Sequence, residues 1–259
     1  MSKDPYLYQF EYPIRIADCP TDPPKDVHEK DLEDITKDLA KELGKLNNVF
    51  MAEKKHSILV VLQGMDASGK DGAVENVFHY CTPANIRTYS FKKPTEVEFA
   101  HDFLWRVHQQ CPAKGEIGVF IRSHYEDVLI QRVHGWIDEK RVKDRMDAIN
   151  AFERLLEFDN NTLIFKFFLN ISYEQQEIEL KQREAERDKM WKHNPGDWKE
   201  RERWSDYMRC YEDVLNNSAI PWTIVPVDKR WYRDYVITKT IVDKLSTLSM
   251  EYPGLPKGL

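Results

Sequence analysis

Apolar residues along the chain follow two spacings in alternation. Leu32, Ile35 and Leu39 recur at helical spacing and predict a helix from about residue 27. The stretch 56–63 is short and largely apolar, as a buried strand of a parallel sheet requires. Further strands are predicted at 87–91, 116–121, 162–169 and 221–227, and further helices at 69–80, 96–110, 124–133, 142–158 and 232–248. Strands that alternate with helices indicate an α/β fold with a mostly parallel sheet flanked by helices.

Two segments differ from this pattern. Residues 1–25 contain five prolines and predict an irregular N-terminal arm. Residues 172–206, which we call the charged segment, carry eight Lys or Arg against ten Asp or Glu and predict a solvated helical pair. Because no internal repeat divides the chain, we expect a single domain over residues 1–259.

A glycine-containing loop lies between the first predicted strand and the helix after it. Residues 64–72, the P-loop, run Gly-Met-Asp-Ala-Ser-Gly-Lys-Asp-Gly and fit the pattern G-x-x-x-x-G-K. The backbone N–H groups of such a loop hold phosphate oxygens, and the following helix adds the positive end of its dipole. The lysine contacts the transferred phosphate as a point charge. The predicted phosphate-binding residues are Ala67, Ser68, Gly69, Lys70, Asp71 and Gly72.

Two acidic residues make this P-loop unusual. Asp66 lies within it, where a carboxylate would repel bound phosphates unless a divalent cation lay between them. Asp66 is therefore a metal-ligand or catalytic candidate, with a cap on the loop backbone as the alternative. Asp71 stands where the common motif has Ser or Thr, and an acid in the first helical turn also has a purely structural explanation.

Composition and charge exclude several classes of protein. The longest aliphatic run, 58–62, is far shorter than the roughly 20 residues that cross a bilayer, and the N-terminus lacks the apolar region of a secretory signal. The four cysteines have no metal-binding spacing and predict reduced thiols, so we expect a cytoplasmic protein with no membrane partner. The net charge of −6 argues against a nucleic-acid partner but is compatible with a local basic groove.

The cations of the charged segment have two explanations. Most of its charges are expected to form a solvated surface with favourable pairs such as Glu179–Arg183. Arg183 and Arg187, however, share one helical face, which is unfavourable unless an anion lies against them. Since an arginine-bearing lid closes over the phosphates in P-loop phosphotransferases, Arg183, Arg187, Lys189 and Lys192 are candidate lid residues. Lys92 follows the second predicted strand and is a further phosphate-binding candidate, because α/β sheets bind ligands at that edge.

The third predicted strand is followed by a second motif, residues 122–129, which run Arg-Ser-His-Tyr-Glu-Asp-Val-Leu. Arg132-Val-His134 comes shortly after it. Together with the P-loop, these motifs resemble the family-2 polyphosphate kinases, and the His-Tyr-Glu-Asp sequence most resembles class III members. Further matching stretches, at 90–94, 101–106, 115–118, 165–169, 191–197 and 202–207, extend the resemblance over nearly the whole chain.

The resemblance implies a P-loop kinase fold similar to thymidylate kinase, with a helical lid over 172–206. It implies reversible phosphoryl transfer between inorganic polyphosphate and nucleotides that depends on Mg²⁺, with Mn²⁺ as an alternative. The implied nucleotides are AMP and ADP, with guanine nucleotides as a further option, and the implied assembly is a homodimer or homotetramer. By position, Asp66 and Lys70 match the family's essential loop residues. Arg122 matches the arginine that the family has directly after the third strand, and Arg132 matches a second phosphate-contacting arginine.

One position departs from the family pattern. The residue before Arg122 is usually Asp or Asn in this family, and here it is Ile121. Because isoleucine binds neither a metal nor a water in its shell, Asp66, Glu126 or Asp127 would have to take the metal-orienting role. Two other functions stay open: an ATP-dependent nucleoside-monophosphate kinase, and a phosphate- or nucleotide-binding module with low turnover.

Overall fold

The computed structural model describes residues 4–255 and contains a single parallel sheet. Its strands are β1 (Ser57–Gln63), β2 (Ile86–Ser90), β3 (Ile117–Ile121), β4 (Thr162–Asn170) and β5 (Thr223–Pro226). They lie in the order β2-β3-β1-β4-β5, and every pairing is parallel. The central strand β1 is buried over its whole length, which explains its nearly continuous apolar sequence. The predicted α/β fold with a parallel sheet is confirmed.

Helices flank this sheet. They are α1 (Glu29–Glu53), α2 (Lys70–Val77), α3 (Glu96–Phe99), α4 (Trp105–His108), α5 (Ile130–Val133), α6 (Glu139–Asn160), α7 (Tyr173–Ala185), α8 (Pro195–Arg201), α9 (Trp204–Asn217) and α10 (Arg230–Ser246). Short 3-10 turns lie at Ile16–Asp18, Pro83–Asn85, His124–Asp127 and Met190–Lys192. The long helix α1 packs along α10, and α6 packs against β4. Within residues 4–255, no helix is both long and apolar enough to span a membrane.

The strand register gathers the two sequence motifs at one edge of the sheet. Leu62, near the end of β1, pairs with Ile121, the last residue of β3, and with Phe167 of β4. The P-loop follows β1 and the second motif follows β3, so both motifs lie at the carboxyl ends of neighbouring strands. Open α/β sheets bind their ligands at this edge.

Two predicted helices are wrong in detail because side-chain caps divide them. In place of one helix over 96–110, the chain forms α3 and α4, and the Asp102 carboxylate accepts a hydrogen bond from the Leu104 N–H (3.0 Å) between them. Over 124–133 a 3-10 turn precedes α5, and the Ser123 hydroxyl accepts from the Tyr125 N–H (3.2 Å) at its start. Side-chain caps of this kind compete with helix continuation, and apolar periodicity does not register them.

Between residues 4 and 25 the N-terminal arm forms no helix or strand other than the 3-10 turn at Ile16–Asp18, and it packs against its own chain. Residues 1–3 of the predicted arm lie outside the described residues. Ile14 and Ile16 are buried. Their N–H groups donate to the side chains of Asn216 and Glu212 in α9, each at 2.8 Å. Because these bonds bridge about 200 residues of sequence, the arm is tied to the same core as the sheet.

Candidate active site

The P-loop turns sharply between β1 and α2. Ala67 and Gly69 adopt φ angles of 65° and 86°, in the left-handed region. The Ser68 N–H donates to the Met65 carbonyl (3.2 Å) and closes the turn. Because α2 begins at Lys70, the N–H groups of its first turn have no partner within the helix and face the loop. The loop therefore has the strand–loop–helix setting that its sequence predicts.

Lys70 is buried against the P-loop. Its Nζ donates to the carbonyls of Gly64 (2.7 Å) and Met65 (2.9 Å). Burial lowers the pKa of Lys70 to about 8, although the neighbouring Asp66 carboxylate acts in the opposite direction. Lys70 is therefore mostly protonated at neutral pH and loses its charge under mildly alkaline conditions.

An ion pair between Asp66 and Arg122 joins the two motifs. Arg122 Nη2 donates to Asp66 Oδ1. Arg122 leaves β3 with a φ of 53°, a conformation that is uncommon outside glycine and is concentrated at functional sites. Burial acts to raise the pKa of Asp66, but Arg122, Lys70 and Arg183 together lower it below its ordinary value. The Asp66 carboxylate is consequently ionised at neutral pH.

These groups border a cavity of about 200 Å³, which we call the site cavity. It is lined by Gly64, Met65, Asp66, Arg122, Glu126, Ile130, Asn194, Gly196, Asp197, Glu200, Tyr207 and Tyr211. Several of its carboxylates influence one another. Burial raises the pKa of Glu126 and of Asp197, and the charge of Asp66 raises both further. A divalent cation bound between such carboxylates would relieve their mutual repulsion.

The donor set fits a metal ion shared with substrate. Among residues 4–255, no three His, Cys, Asp or Glu side chains lie close enough to hold a metal between them. Mg²⁺ commonly binds one or two carboxylates and completes its shell with water and substrate phosphates. Asp66 and Glu126 provide two carboxylates on one cavity. These two residues are therefore carboxylates of this cavity that could hold a divalent cation together with phosphate.

Of the four predicted lid cations, Arg183 is the one that approaches the P-loop. Its Nη1 donates to Asp197 Oδ2 (2.9 Å), and its charge contributes to the lowered pKa of Asp66. Lys189 pairs with Glu186 of its own segment (2.6 Å). Arg187 is exposed, and so is Lys192, whose Nζ lies 5.0 Å from the centre of the Trp191 ring. In this structure Arg187 and Lys192 belong to the outer surface of the charged segment.

Two further predicted residues point away from the site cavity. Arg132 forms ion pairs with Glu139 and Asp213, each at 2.6 Å. Asp127 lies 3.5 Å from Arg106 and lines a separate cavity of about 510 Å³. Consecutive residues of a 3-10 turn face different sides, so the turn that brings Glu126 to the site cavity turns Asp127 to the other one.

Three predicted phosphate-binding residues are not among those that line the site cavity. The Lys92 side chain is exposed, and its backbone carbonyl accepts from Arg106 (2.7 Å). Asp71 is also exposed and lies in the first turn of α2, where an acid is favourable for the helix itself. Gly72 follows it in the same turn and is partly exposed. Their assignment to phosphate stays a prediction.

Sequence reasoning missed several residues that shape the site cavity. Gln176 of α7 is fully buried, and its side-chain amide donates to the Asp66 carbonyl (3.0 Å). Arg201 of α8 donates in turn to the Gln176 side chain (3.0 Å). Tyr211 of α9 lines the cavity, and burial together with Glu126 raises the pKa of its phenol well above the usual range. None of these three residues belongs to one of the sequence motifs, so their polar side chains offered no signal.

A buried ion pair supports the second motif from within the core. Lys166 of β4 donates to Glu153 of α6 (2.7 Å) and to the hydroxyl of Tyr125 (2.7 Å). His124 Nε2 lies 3.3 Å from the same glutamate, and the side chains of all three charged or titratable residues are fully buried. Moving the turn would break these contacts and leave a buried charge unpaired, which is very costly in free energy. The cluster therefore holds His124 and Tyr125 of the 3-10 turn in place. The one signal in the sequence is a lysine inside an apolar strand.

Comparison with known proteins identifies the family. A family model described as Polyphosphate kinase 2 matches residues 26–253. The chain belongs to the polyphosphate kinase 2 family. The family predicted from the motifs is thereby confirmed.

Relatives of this polyphosphate kinase 2 chain match most of its length. An AMP/ADP-polyphosphate phosphotransferase from Meiothermus ruber is 43% identical over 218 residues, which cover 83% of this chain and 81% of the relative. An ADP-polyphosphate phosphotransferase from Rhodopseudomonas palustris is 36% identical over 226 residues, which cover 82% of this chain and 78% of the relative. The crystal structure of polyphosphate kinase 2 from Arthrobacter aurescens TC1 superposes with a TM-score of 0.91 at 35% identity, covering 96% of this chain and 91% of that one.

Ile121 is accommodated in this polyphosphate kinase 2 chain as a core residue. Its side chain is 8% exposed and packs within the main hydrophobic cluster. It is not among the residues that line the site cavity. The carboxylates of that cavity come instead from the P-loop, the second motif and α8.

Proposed function

We propose that this chain transfers phosphoryl groups reversibly between inorganic polyphosphate and adenine nucleotides, converting AMP to ADP and ADP to ATP. The observation that carries the proposal is the Asp66–Arg122 ion pair beside Lys70, at the carboxyl edge of the parallel sheet. The names of the relatives, an AMP/ADP- and an ADP-polyphosphate phosphotransferase, support the same pair of substrates.

The residues of the site would act by alignment and charge neutralisation. Lys70 and Arg122 place two cations beside the P-loop, whose N–H groups can hold phosphate oxygens. Phosphoryl transfer to a phosphate needs no general base, because the attacking oxygen is already anionic. Catalysis then depends on holding the two phosphates in line and on stabilising the negative charge of the transition state.

We propose Mg²⁺, with Mn²⁺ as an alternative, as the divalent cation of this reaction. Asp66 and Glu126 are the residues that would hold it together with substrate phosphates. Such a cation, when bound, neutralises phosphate charge and orients the reacting oxygens. Asp66, which is ionised, is better suited to this role than Glu126, whose pKa is raised by burial.

The nucleoside would need space beyond the site cavity. The separate cavity of about 510 Å³ lies on the other side of the turn His124–Asp127 and falls in the size range of small-molecule sites. Phe103 lines it, with the Arg145 guanidinium 5.0 Å from the ring centre, which is a surface suited to a nucleobase. Acceptance of guanine nucleotides and assembly as a homodimer or homotetramer stay predictions.

A comparison of phosphoryl donors tests the proposal. The protein with Mg²⁺ and AMP would receive either polyphosphate or ATP as donor, and initial rates of ADP formation would be measured by chromatography. We expect polyphosphate to be the faster donor by at least tenfold at equal phosphate concentration. A faster reaction with ATP would identify a nucleoside-monophosphate kinase instead.

Transfer is expected to weaken as the pH rises above about 8, the pKa of Lys70. At pH 9 about one tenth of Lys70 would keep its proton, so kcat/KM for polyphosphate should be about tenfold below its value at pH 7. The pKa of Lys70 is lower in the folded than in the unfolded protein, so above pH 8 the unfolded chain binds more protons at this position. The contribution of Lys70 to the free energy of unfolding therefore rises between pH 8 and its unfolded pKa.

The two effects of pH can be separated by measuring Tm alongside the rate. A fall in kcat/KM without a matching fall in Tm is the expected pattern. A rate that stayed level between pH 7 and pH 9 would show that Lys70 keeps its proton or that its charge is not used.

Replacing Ile121 with aspartate should lower stability without raising turnover. A carboxylate in this packed position would be buried, at a cost of about 2 kcal/mol or more in the free energy of unfolding. Since the site cavity already has Asp66 and Glu126, we expect kcat to stay within about twofold. Steady-state rates and chemical denaturation of Ile121→Asp and Ile121→Asn would check this. A large gain in turnover would show that a metal-orienting carboxylate is missing from the site.

A further inference from the structure

Two arginines of α10 bind the P-loop from the side of its carbonyl groups. Arg230 donates from Nη1 to the Ser68 carbonyl (2.6 Å) and from Nη2 to the Ala67 carbonyl (2.8 Å). Arg233 donates from Nη1 to the Gly69 carbonyl (2.9 Å). Three consecutive carbonyls of the loop are therefore held by two guanidinium groups that lie about 160 residues further along the chain.

The positions of these arginines are not explained by the needs of α10. Both occupy its first turn, where the helix dipole disfavours cations. Arg230 is compensated by Glu179 of α7, at 2.9 Å. Arg233 is buried and pairs with Asp234 (2.6 Å), which accepts in turn from Asn76 of α2 (2.7 Å). Each arginine is thus supported by its own acidic partner while it holds the loop.

Gly69 makes room for both guanidinium groups. A Cβ at this position would lie 2.2 Å from the Nη1 of Arg230 and 2.4 Å from the Nη1 of Arg233. The glycine also adopts a φ of 86°, which L side chains rarely do. The glycine before the P-loop lysine therefore serves the approach of α10 as well as the turn itself.

Fixing the carbonyls also fixes the N–H groups on the other side of the loop. The peptide units here are trans and planar, so each N–H points away from the carbonyl of the residue before it. With the carbonyls of Ser68 and Gly69 held towards α10, the N–H groups of Gly69 and Lys70 are directed to the opposite side. These are the N–H groups that a P-loop offers to phosphate.

We propose that Arg230 and Arg233 are positioning residues that hold the P-loop in its phosphate-binding conformation. They act through the backbone of residues 67–69 and are not residues that line the site cavity. The inference rests on the proposed function in that it takes polyphosphate as the ligand of the loop.

Hydrogen exchange of the P-loop and polyphosphate binding together test this proposal. The variants are Arg230→Met, which removes both carbonyl bonds, and Arg230→Lys, which keeps the charge but can bond only part of them. Arg233→Lys tests the second arginine without leaving Asp234 unpaired. Lys239→Met is the matched control, because Lys239 lies on the same helix and pairs with Asp4 and Asp243, not with the P-loop.

In Arg230→Met we expect faster amide exchange in peptides that cover residues 64–72, measured without substrate, and a Kd for polyphosphate raised by about tenfold or more. Arg230→Lys and Arg233→Lys should show smaller changes in the same direction. KM for the nucleotide should change less than Kd for polyphosphate, and Lys239→Met should leave both Kd and loop exchange unchanged.

A lower Tm in the arginine variants with unchanged loop exchange and unchanged Kd would overturn the proposal, since the arginines would then serve only stability. If the wild-type protein bound no polyphosphate, the proposed function would fail. Amide exchange of the P-loop would still show in that case whether Arg230 and Arg233 hold the loop, because it is measured in the protein without substrate.

Discussion

Replacing Lys70 with alanine is expected to reduce kcat/KM for polyphosphate by about a hundredfold to a thousandfold. Lys70 is the cation that the P-loop places against its own carbonyls, and loss of one preorganised charge at a transferred phosphate typically costs two to three orders of magnitude. The variant should fold, because burial already disfavours the charge of this lysine and lowers its pKa. Steady-state rates and circular dichroism would be measured on the same samples.

Lys181 provides the control for this substitution. It is exposed in the charged segment and pairs with Glu177 one turn away, at 2.6 Å. Such surface pairs contribute little, so Lys181→Ala should keep nearly the full rate. If Lys70→Ala retained substantial activity, the assignment of residues 64–72 as the phosphate loop would be wrong.

Replacing Asp66 with asparagine is expected to lower kcat by about 100-fold to 1000-fold. The substitution keeps the shape of the side chain but removes the charge that pairs with Arg122 and that would face a divalent cation. The concentration of Mg²⁺ required for half-maximal rate should rise as well. Rates measured over a Mg²⁺ titration, for both proteins, would separate the two effects.

Asp147 offers a matched control, because it is exposed on α6 and Asp147→Asn makes the same chemical change. This variant should behave as the wild type at every Mg²⁺ concentration. The purely structural alternative for Asp66 is a cap on the loop backbone. A wild-type rate and an unchanged Mg²⁺ requirement in Asp66→Asn would favour that explanation.

Much of the fold follows from local patterns in the sequence. A short, continuous apolar run such as 58–62 is typical of a strand that is covered on both faces, as in a parallel sheet. The α/β class is therefore predictable from the sequence, whereas the order of the strands is not. The P-loop is predictable for the same reason, since its function depends on a short contiguous stretch between a strand and a helix. The ends of the helices are harder to predict, because single side chains such as those of Asp102 and Ser123 divide the predicted helices.

The partners of the motifs could not be predicted in the same way. Arg230 reaches the P-loop only because α10 packs beside α2, and nothing in the sequence near Arg230 indicates that contact. The second motif offered both Glu126 and Asp127 as metal ligands, and only the turn geometry shows that they face different cavities. Arg132 matches the family motif, yet its guanidinium is held between Glu139 and Asp213.

The central claim, that polyphosphate is the phosphoryl donor, is tested most directly in one reaction. Folded protein would be mixed with Mg²⁺, polyphosphate and AMP, with no ATP added, and the nucleotides would be followed by chromatography. We predict that ADP forms first and ATP follows. No ADP or ATP from AMP under these conditions, in a sample that binds polyphosphate and is shown to be folded, would contradict the account.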